Sequence, residues 1–163
     1  MTLSPEAAHA ELVQLSREQS ILQSCTALLE WDQETYLPAG GALHRSAQLS
    51  LLARLLHERI AAPRFAELID KVANSPLAAD EAVAADLRVF RRRQKRAAVL
   101  EPRFVEELAR TLVLSQQAWD VARQRGDFSE LKPWLLRVIE LKRQEAAACA
   151  PQLDAYDALL DEH

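Results

Sequence analysis

His57-Glu58-Arg59-Ile60-Ala61 opens like the pattern HExxH. On a helix, residues four apart share a face, so two imidazoles at the ends of that pattern grip zinc while the glutamate acts as a base toward metal-bound water. Here the fifth position is Ala61, and the second imidazole is missing. The chain has four histidines, His9, His44, His57 and His163, and no two are four apart. His44 and His57 are thirteen apart on one predicted helix, too far to share an ion. A catalytic zinc needs three protein ligands and an open position. The spacing therefore makes His57 a partly buried histidine beside a surface carboxylate, and it assigns this chain no metal, no cofactor and no catalytic residue. Other chemistries have no foothold either. There is no G-x-S-x-G elbow, neither Cys25 nor Cys149 has a histidine beside it, and there is no glycine-rich phosphate loop.

A second cluster with chemical capacity is Trp31-Asp32-Gln33-Glu34-Thr35-Tyr36-Leu37-Pro38, dense in polar and aromatic groups at the end of a long helix. Two readings stay open. Asp32, Glu34 and the Gln33 amide could contact a peptide, since loops held on rigid elements gather binding groups. They could equally cap and tether the junction between two helices. Trp119 and Trp134 lie on apolar helical faces and read as packing anchors. The run Arg91-Arg92-Arg93-Gln94-Lys95-Arg96 is the one strong charge cluster. A helix spreads six consecutive residues around its axis, and cations suit a helix C-terminus, so the run reads as a solvated face rather than a phosphate stripe.

The elements that must position these groups are helical. Ala, Leu, Glu, Arg and Gln dominate, glycine numbers 3, and strand formers never alternate for long. Ser4 can cap a first helix that Pro5 opens and that runs to about Trp31. Ala8, Leu15, Leu22 and Leu29 repeat every seven residues with Leu12, Cys25 and Leu28 beside them, a seam of about 40 Å interrupted by Gln19 and Thr26. Pro38-Ala39-Gly40-Gly41 breaks the chain. A second helix follows over Ala42 to Ala61, a short third over Arg64 to Ala73, and a fourth from about Ala78 to Val99 with Asp80 or Glu81 at its positive end. The fifth starts near Pro102, carries Phe104, Leu108, Leu112 and Trp119 on one face, and ends at Gly126 in a left-handed cap. Asp127-Phe128-Ser129-Glu130 reads as a capping box for a sixth helix, with Trp134, Leu135, Val138, Ile139 and Leu141 as its apolar face. Pro151 breaks it before a last turn or two.

The expected architecture is thus all-α, an antiparallel bundle of about six helices in a single domain over 1–163. With 163 residues, 49% apolar and 27% charged, the chain can bury a core. A net charge of -4 argues against a nucleic-acid partner. No stretch is long and apolar enough for a bilayer, and the N-terminus has no secretory pattern, so no membrane partner and a cytoplasmic location are expected. Two cysteines without metal-type spacing read as free thiols.

Leu28-Leu29-Glu30-Trp31-Asp32-Gln33-Glu34-Thr35-Tyr36-Leu37-Pro38-Ala39-Gly40-Gly41 closely resembles the early WDQETYMP-x-GG stretch of the carboxypeptidase Taq family of zinc metallocarboxypeptidases, with Leu37 in place of the usual Met. Gln48 to Glu58 is similar to that family's next helix. Val105-Glu106-Glu107-Leu108-Ala109-Arg110, Gln116-Gln117-Ala118-Trp119, Asp127-Phe128, Pro133-Trp134-Leu135 and Glu140-Leu141-Lys142-Arg143 continue in family order, and Tyr156 to Asp161 resembles its YDALLD. The resemblance implies the N-terminal helical portion of such an enzyme, a lid over a long substrate groove, with Trp31, Asp32, Gln33, Glu34 and Thr35 near that lid. It also implies zinc, or another divalent metal, and release of C-terminal residues from peptides in a complete enzyme. The family's metal ligands lie beyond the matching region, so none is carried over. The family pattern usually continues past YDALLD, whereas Glu162 and His163 follow here, and the expectation is a truncated or split reading frame. Such a segment, inactive alone, would self-associate or bind the polypeptide that supplies the missing peptidase body. The competing expectation is a helical protein–protein interaction module.

Overall fold

The computed structural model describes residues 3–38 and 40–160. Ala39 in the expected break, Asp161 of the YDALLD-like segment, Glu162 and His163 lie outside them. Among the described residues the protein is all-α: α1 Pro5–Thr35, α2 Ala42–Ala61, α3 Pro63–Ala73, a 3-10 turn Pro76–Ala79, α4 Glu81–Val99, α5 Pro102–Arg125, α6 Lys132–Cys149 and α7 Ala155–Leu160. The chain divides into two compact units, Met1–Cys25 with Leu55–Ala98, and Thr26–Arg54 with Val99–His163.

The first unit has the larger core. Phe65, Leu68, Ile69 and Val72 recur at i, i+3, i+4 and i+7, which lines them up on one face of α3. Ala8 and Leu12 of α1 and Val83, Leu87 and Phe90 of α4 complete one buried cluster with them. The Phe65 and Phe90 rings meet edge to face at 5.8 Å, an arrangement that brings the positive rim of one ring to the negative face of the other. Local chemistry fixes the helix starts. The Ser4 hydroxyl accepts the Ala7 N–H at 3.2 Å. The Asp80 carboxylate accepts the Ala82 and Val83 N–H groups at 2.9 and 3.1 Å. That cap starts α4 at Glu81 rather than Ala78, because the preceding residues are taken up in the 3-10 turn.

The heptad seam of α1 is buried only in part. Ala8, Leu12 and Gln19 are buried, whereas Cys25 and Leu28 are exposed. Gln19 is 1% exposed and its Oε1 has no hydrogen-bond partner, a costly arrangement for a buried amide. Arg91 of the basic run reaches Asp70 at 3.6 Å, and Arg93 turns inward.

The second unit holds α5 against α6 and α6 against α7. Its buried apolar side chains are mostly small: Ala42, Leu49, Val113, Ala122, Leu141, Ala146 and Ala158. Gly126 sits at φ 65° and closes α5 in the left-handed conformation expected of it. The expected capping box does not open α6. Asp127 accepts the Ser129 N–H at 2.9 Å in a tight turn, Glu130 pairs with Arg125 at 2.9 Å, and α6 begins only at Lys132 with Leu131 before it. Of the expected apolar face of α6, Leu141 is buried but Leu135 and Ile139 remain exposed.

Two outcomes test the first unit. Leu12 is fully buried, so Leu12→Ala should cost about 2–5 kcal/mol of unfolding free energy in denaturant titrations. Arg64 grips Glu11 with two bonds, 2.9 Å from Nε and 2.7 Å from Nη2. Those bonds hold the Glu11 pKa below its ordinary 4.5. A lowered carboxylate pKa contributes stability that is present above 4.5 and lost as pH falls through the folded value. Glu11→Gln should therefore lower the melting temperature slightly at neutral pH, and the difference should vanish in acid and shrink in high salt.

Candidate functional site

Asp32 is a tether. Its carboxylate takes a hydrogen-bonded ion pair from Nη2 of Arg45, while Nη1 of the same guanidinium donates to the Leu29 carbonyl and Nε donates to Gln48 Oε1 at 3.0 Å. The Arg45 side chain is 8% exposed. A buried guanidinium with all three nitrogens engaged this way fixes two helices to one another, because moving either helix leaves donors or a charge unpaired. The Arg45 fork spans the end of α1 and the start of α2, both within the second unit.

The turn between those helices is equally constrained. The Tyr36 and Leu37 N–H groups both donate to the Asp32 carbonyl, at 2.9 and 3.0 Å, and Gly41 N–H donates to the Pro38 carbonyl at 2.8 Å. A Cβ at Gly41 would lie 2.8 Å from Leu37 Cδ1 and 3.2 Å from the Pro38 oxygen. A side chain there would crowd the Pro38 carbonyl and turn the Leu37 side chain aside, so close approach favours glycine with no positive φ involved. Trp31 packs edge-on to Tyr36 at 5.5 Å, and both rings stay largely in solvent.

Gln33, Glu34 and Thr35 face an open cleft of about 740 Å³ within the second unit. Leu37, Pro38 and Ala42 continue that wall. The opposite wall is α5, which contributes Gln116, Trp119, Asp120, Arg123 and Gln124 among others. The Arg123 guanidinium lies over the Trp119 ring at 5.3 Å. Thr35 Oγ1 donates to the Trp31 carbonyl at 2.7 Å. Gln33 Oε1 is enclosed without a hydrogen-bond partner. The wall thus offers carboxamides, which can both donate and accept, two carboxylates, a cation and an aromatic face. That inventory matches the alternating N–H and C=O groups of an extended peptide.

Three of the five candidate residues therefore share this cleft, while Asp32 anchors its base and Trp31 stands with Tyr36. Trp119 is not the packing anchor its periodicity suggested: it is 40% exposed. The α5 wall was missed as a site, although its signal was in the chain. Gln116, Asp120, Arg123 and Gln124 are polar at i, i+4, i+7 and i+8, one helix face.

The fold and the sequence place the chain in a known class. The profile of the carboxypeptidase Taq (M32) metallopeptidase family matches residues 11–163, and the chain belongs to that family. Thermostable carboxypeptidase 1 of Thermus thermophilus is 37% identical over 98% of this chain and 33% of its own length. Thermostable carboxypeptidase 1 of Pyrococcus furiosus is 34% identical over 83% of this chain and 27% of its own. The chain thus spans about a third of the curated relatives it matches. Among solved structures, the Pyrococcus furiosus carboxypeptidase in an apo-Mg form superposes with a TM-score of 0.75 at 29% identity, covering 96% of this chain and 31% of that one. The crystal structure of BsuCP superposes with a TM-score of 0.88 at 24% identity over 95% of this chain and 31% of that one, a likeness of fold.

A metallopeptidase family raises the question of a metal, and the donors here do not fit one. Among the described residues no group of three or more His, Cys, Asp or Glu side chains could hold an ion. His57 is buried at 7% exposure, Glu58 points to solvent, and Ala61 occupies the place of a second imidazole. Cys25 and Cys149 are not disulfide bonded. No helix among the described residues is long and apolar enough to cross a membrane.

Asp32→Ala should cost about 2 kcal/mol in equilibrium unfolding, the worth of a hydrogen bond to a charged partner. It should also broaden the Trp31 environment, read by indole NMR. An unchanged stability would mean that the Arg45 clamp does not hold the junction.

Proposed function

We propose that this chain forms the helical lid and groove-wall segment of a zinc metallocarboxypeptidase that releases C-terminal residues from peptides, and that the segment does not hydrolyse peptides by itself. The observation that carries the reading is the family match across residues 11–163 in a chain whose donors cannot assemble a metal site among the described residues. The α1 turn and α5 would supply binding surface, Gln33, Glu34 and Thr35 on one wall and Trp119 and Asp120 on the other. Substrate would be held by amide pairing and by ring contact, with the attacking water activated by ligands from other polypeptide.

Exposure supports the same reading. Leu112 and Trp119 on α5 and Leu135, Leu136 and Ile139 on α6 all remain 39% exposed or more. A self-sufficient interaction module would have satisfied the apolar stripe of α5 internally. Open apolar positions of this number suit helices that border a larger body.

The purified chain incubated with zinc should release no residue from N-blocked peptides and bind no metal stoichiometrically, read by mass spectrometry of the bound metal. A chimera in which this chain replaces the matching third of the Thermus thermophilus relative should release C-terminal residues, and Trp119→Ala in it should raise KM with kcat nearly unchanged. Turnover by the chain alone, or a folded and inert chimera, would remove the proposal.

A further inference from the structure

Three ionisable side chains line the cleft between the α1 turn and α5: Glu34 on one wall, Asp120 and Arg123 on the other. Asp120 and Arg123 are three residues apart on one helix, a spacing at which a carboxylate and a guanidinium can pair. They do not. The guanidinium lies over the Trp119 ring instead, 5.3 Å from its centroid. The Glu34 and Asp120 carboxylates take part in no ion pair and no hydrogen bond among the described residues. The Gln33 side-chain oxygen, on the Glu34 wall, is enclosed and has no donor either. No lysine lines the cleft, so its carboxylates outnumber its cations.

One cavity of about 740 Å³ thus brings together an aromatic face already used by a cation, unpaired carboxylates on both walls and an acceptor without a donor. An indole face attracts a cation through its quadrupole. Carboxylates add Coulomb attraction and accept the N–H bonds of an ammonium, which has three to give. Arg123 is exposed, and an exposed contact of this kind is weak enough for a ligand to displace. We propose that the cleft is a cation subsite for peptides, in which a ligand ammonium takes the Trp119 face from Arg123 and is held by the Glu34 and Asp120 carboxylates. A free peptide N-terminus and a lysine side chain share this chemistry. The inference rests on the reading of this cleft as peptide-binding surface and adds to it a preference for positive charge.

Titration of the full chain with three tripeptides, followed at the Trp119 indole N–H resonance, tests this. The probes are tri-alanine with a free amino end, its N-acetylated form, and an N-acetylated tripeptide with lysine between two alanines. Tri-alanine or the lysine peptide should bind about fivefold tighter or more than acetyl-tri-alanine, and the tighter of the two identifies the source of the ammonium. The gap should narrow in high salt. Glu34→Gln and Asp120→Asn, both at exposed positions and each shown by circular dichroism to keep its helix content, should each cut the gap by about half or more. Arg123→Gln should widen it, because the ring and the carboxylates lose an internal competitor, an outcome that loosened packing does not produce. Equal binding of all three probes, or binding of none, would overturn the proposal. So would a gap indifferent to E34Q and D120N, or one that R123Q narrows. The reading beneath it is judged apart: a chimera that releases C-terminal residues equally well from the free and acetylated peptides keeps the groove-wall role and removes the ammonium subsite.

Discussion

A guanidinium out of reach of bulk water governs the end of α1. Arg45 satisfies the Leu29 carbonyl, the Asp32 carboxylate and the Gln48 amide together. The Leu29 oxygen lies near the C-terminal end of α1, and Arg45 adds a side-chain donor to it there. The arginine supplies a cation to the negative end of the helix dipole as well as a donor. With that clamp closed, the chain must reverse within a few residues, and Gly41 lets it pass close to the Leu37 side chain and the Pro38 carbonyl. Gln33, Glu34 and Thr35 are then delivered to the cleft by a backbone with little freedom to place them elsewhere.

The clamp also separates two meanings of a polar motif. Asp32 and Glu34 are two residues apart and chemically alike, yet one spends its charge on architecture and the other faces a cleft. A dense run of polar and aromatic residues thus carries a structural half and a surface half. The family to which the chain belongs uses a metal for its chemistry, and the donors described here are scattered. The cleft described here offers shape, amide groups and an aromatic face.

Much of the fold was legible because its signals are local. Ser4, Asp80 and Gly126 each act on backbone groups within four residues of themselves, and their roles follow from residue type. The α3 stripe of Phe65, Leu68, Ile69 and Val72 follows from helical spacing. What could not be read has long-range causes. Nothing near Asp32 points to Arg45 thirteen residues on. Asp127 and Glu130 have the spacing of a capping box, but competing partners in Ser129 and Arg125 draw both away from the helix start. Trp119, Leu135 and Ile139 lie on faces that periodicity marks as apolar, and periodicity does not say whether this chain supplies their cover. The same limit hid the cleft: the polar stripe of α5 looks like any solvated helix face until a second wall stands opposite.

The contrast between the two cores has a kinetic side. One is built on two phenylalanines, three leucines and an isoleucine, the other largely on alanine with a leucine or valine at intervals. Opening transitions cost roughly the apolar burial they undo. Amide protons around Phe65 should therefore outlast those of α5 and α6 in heavy water, and a protease meeting the native chain would find its first footholds beyond Val99.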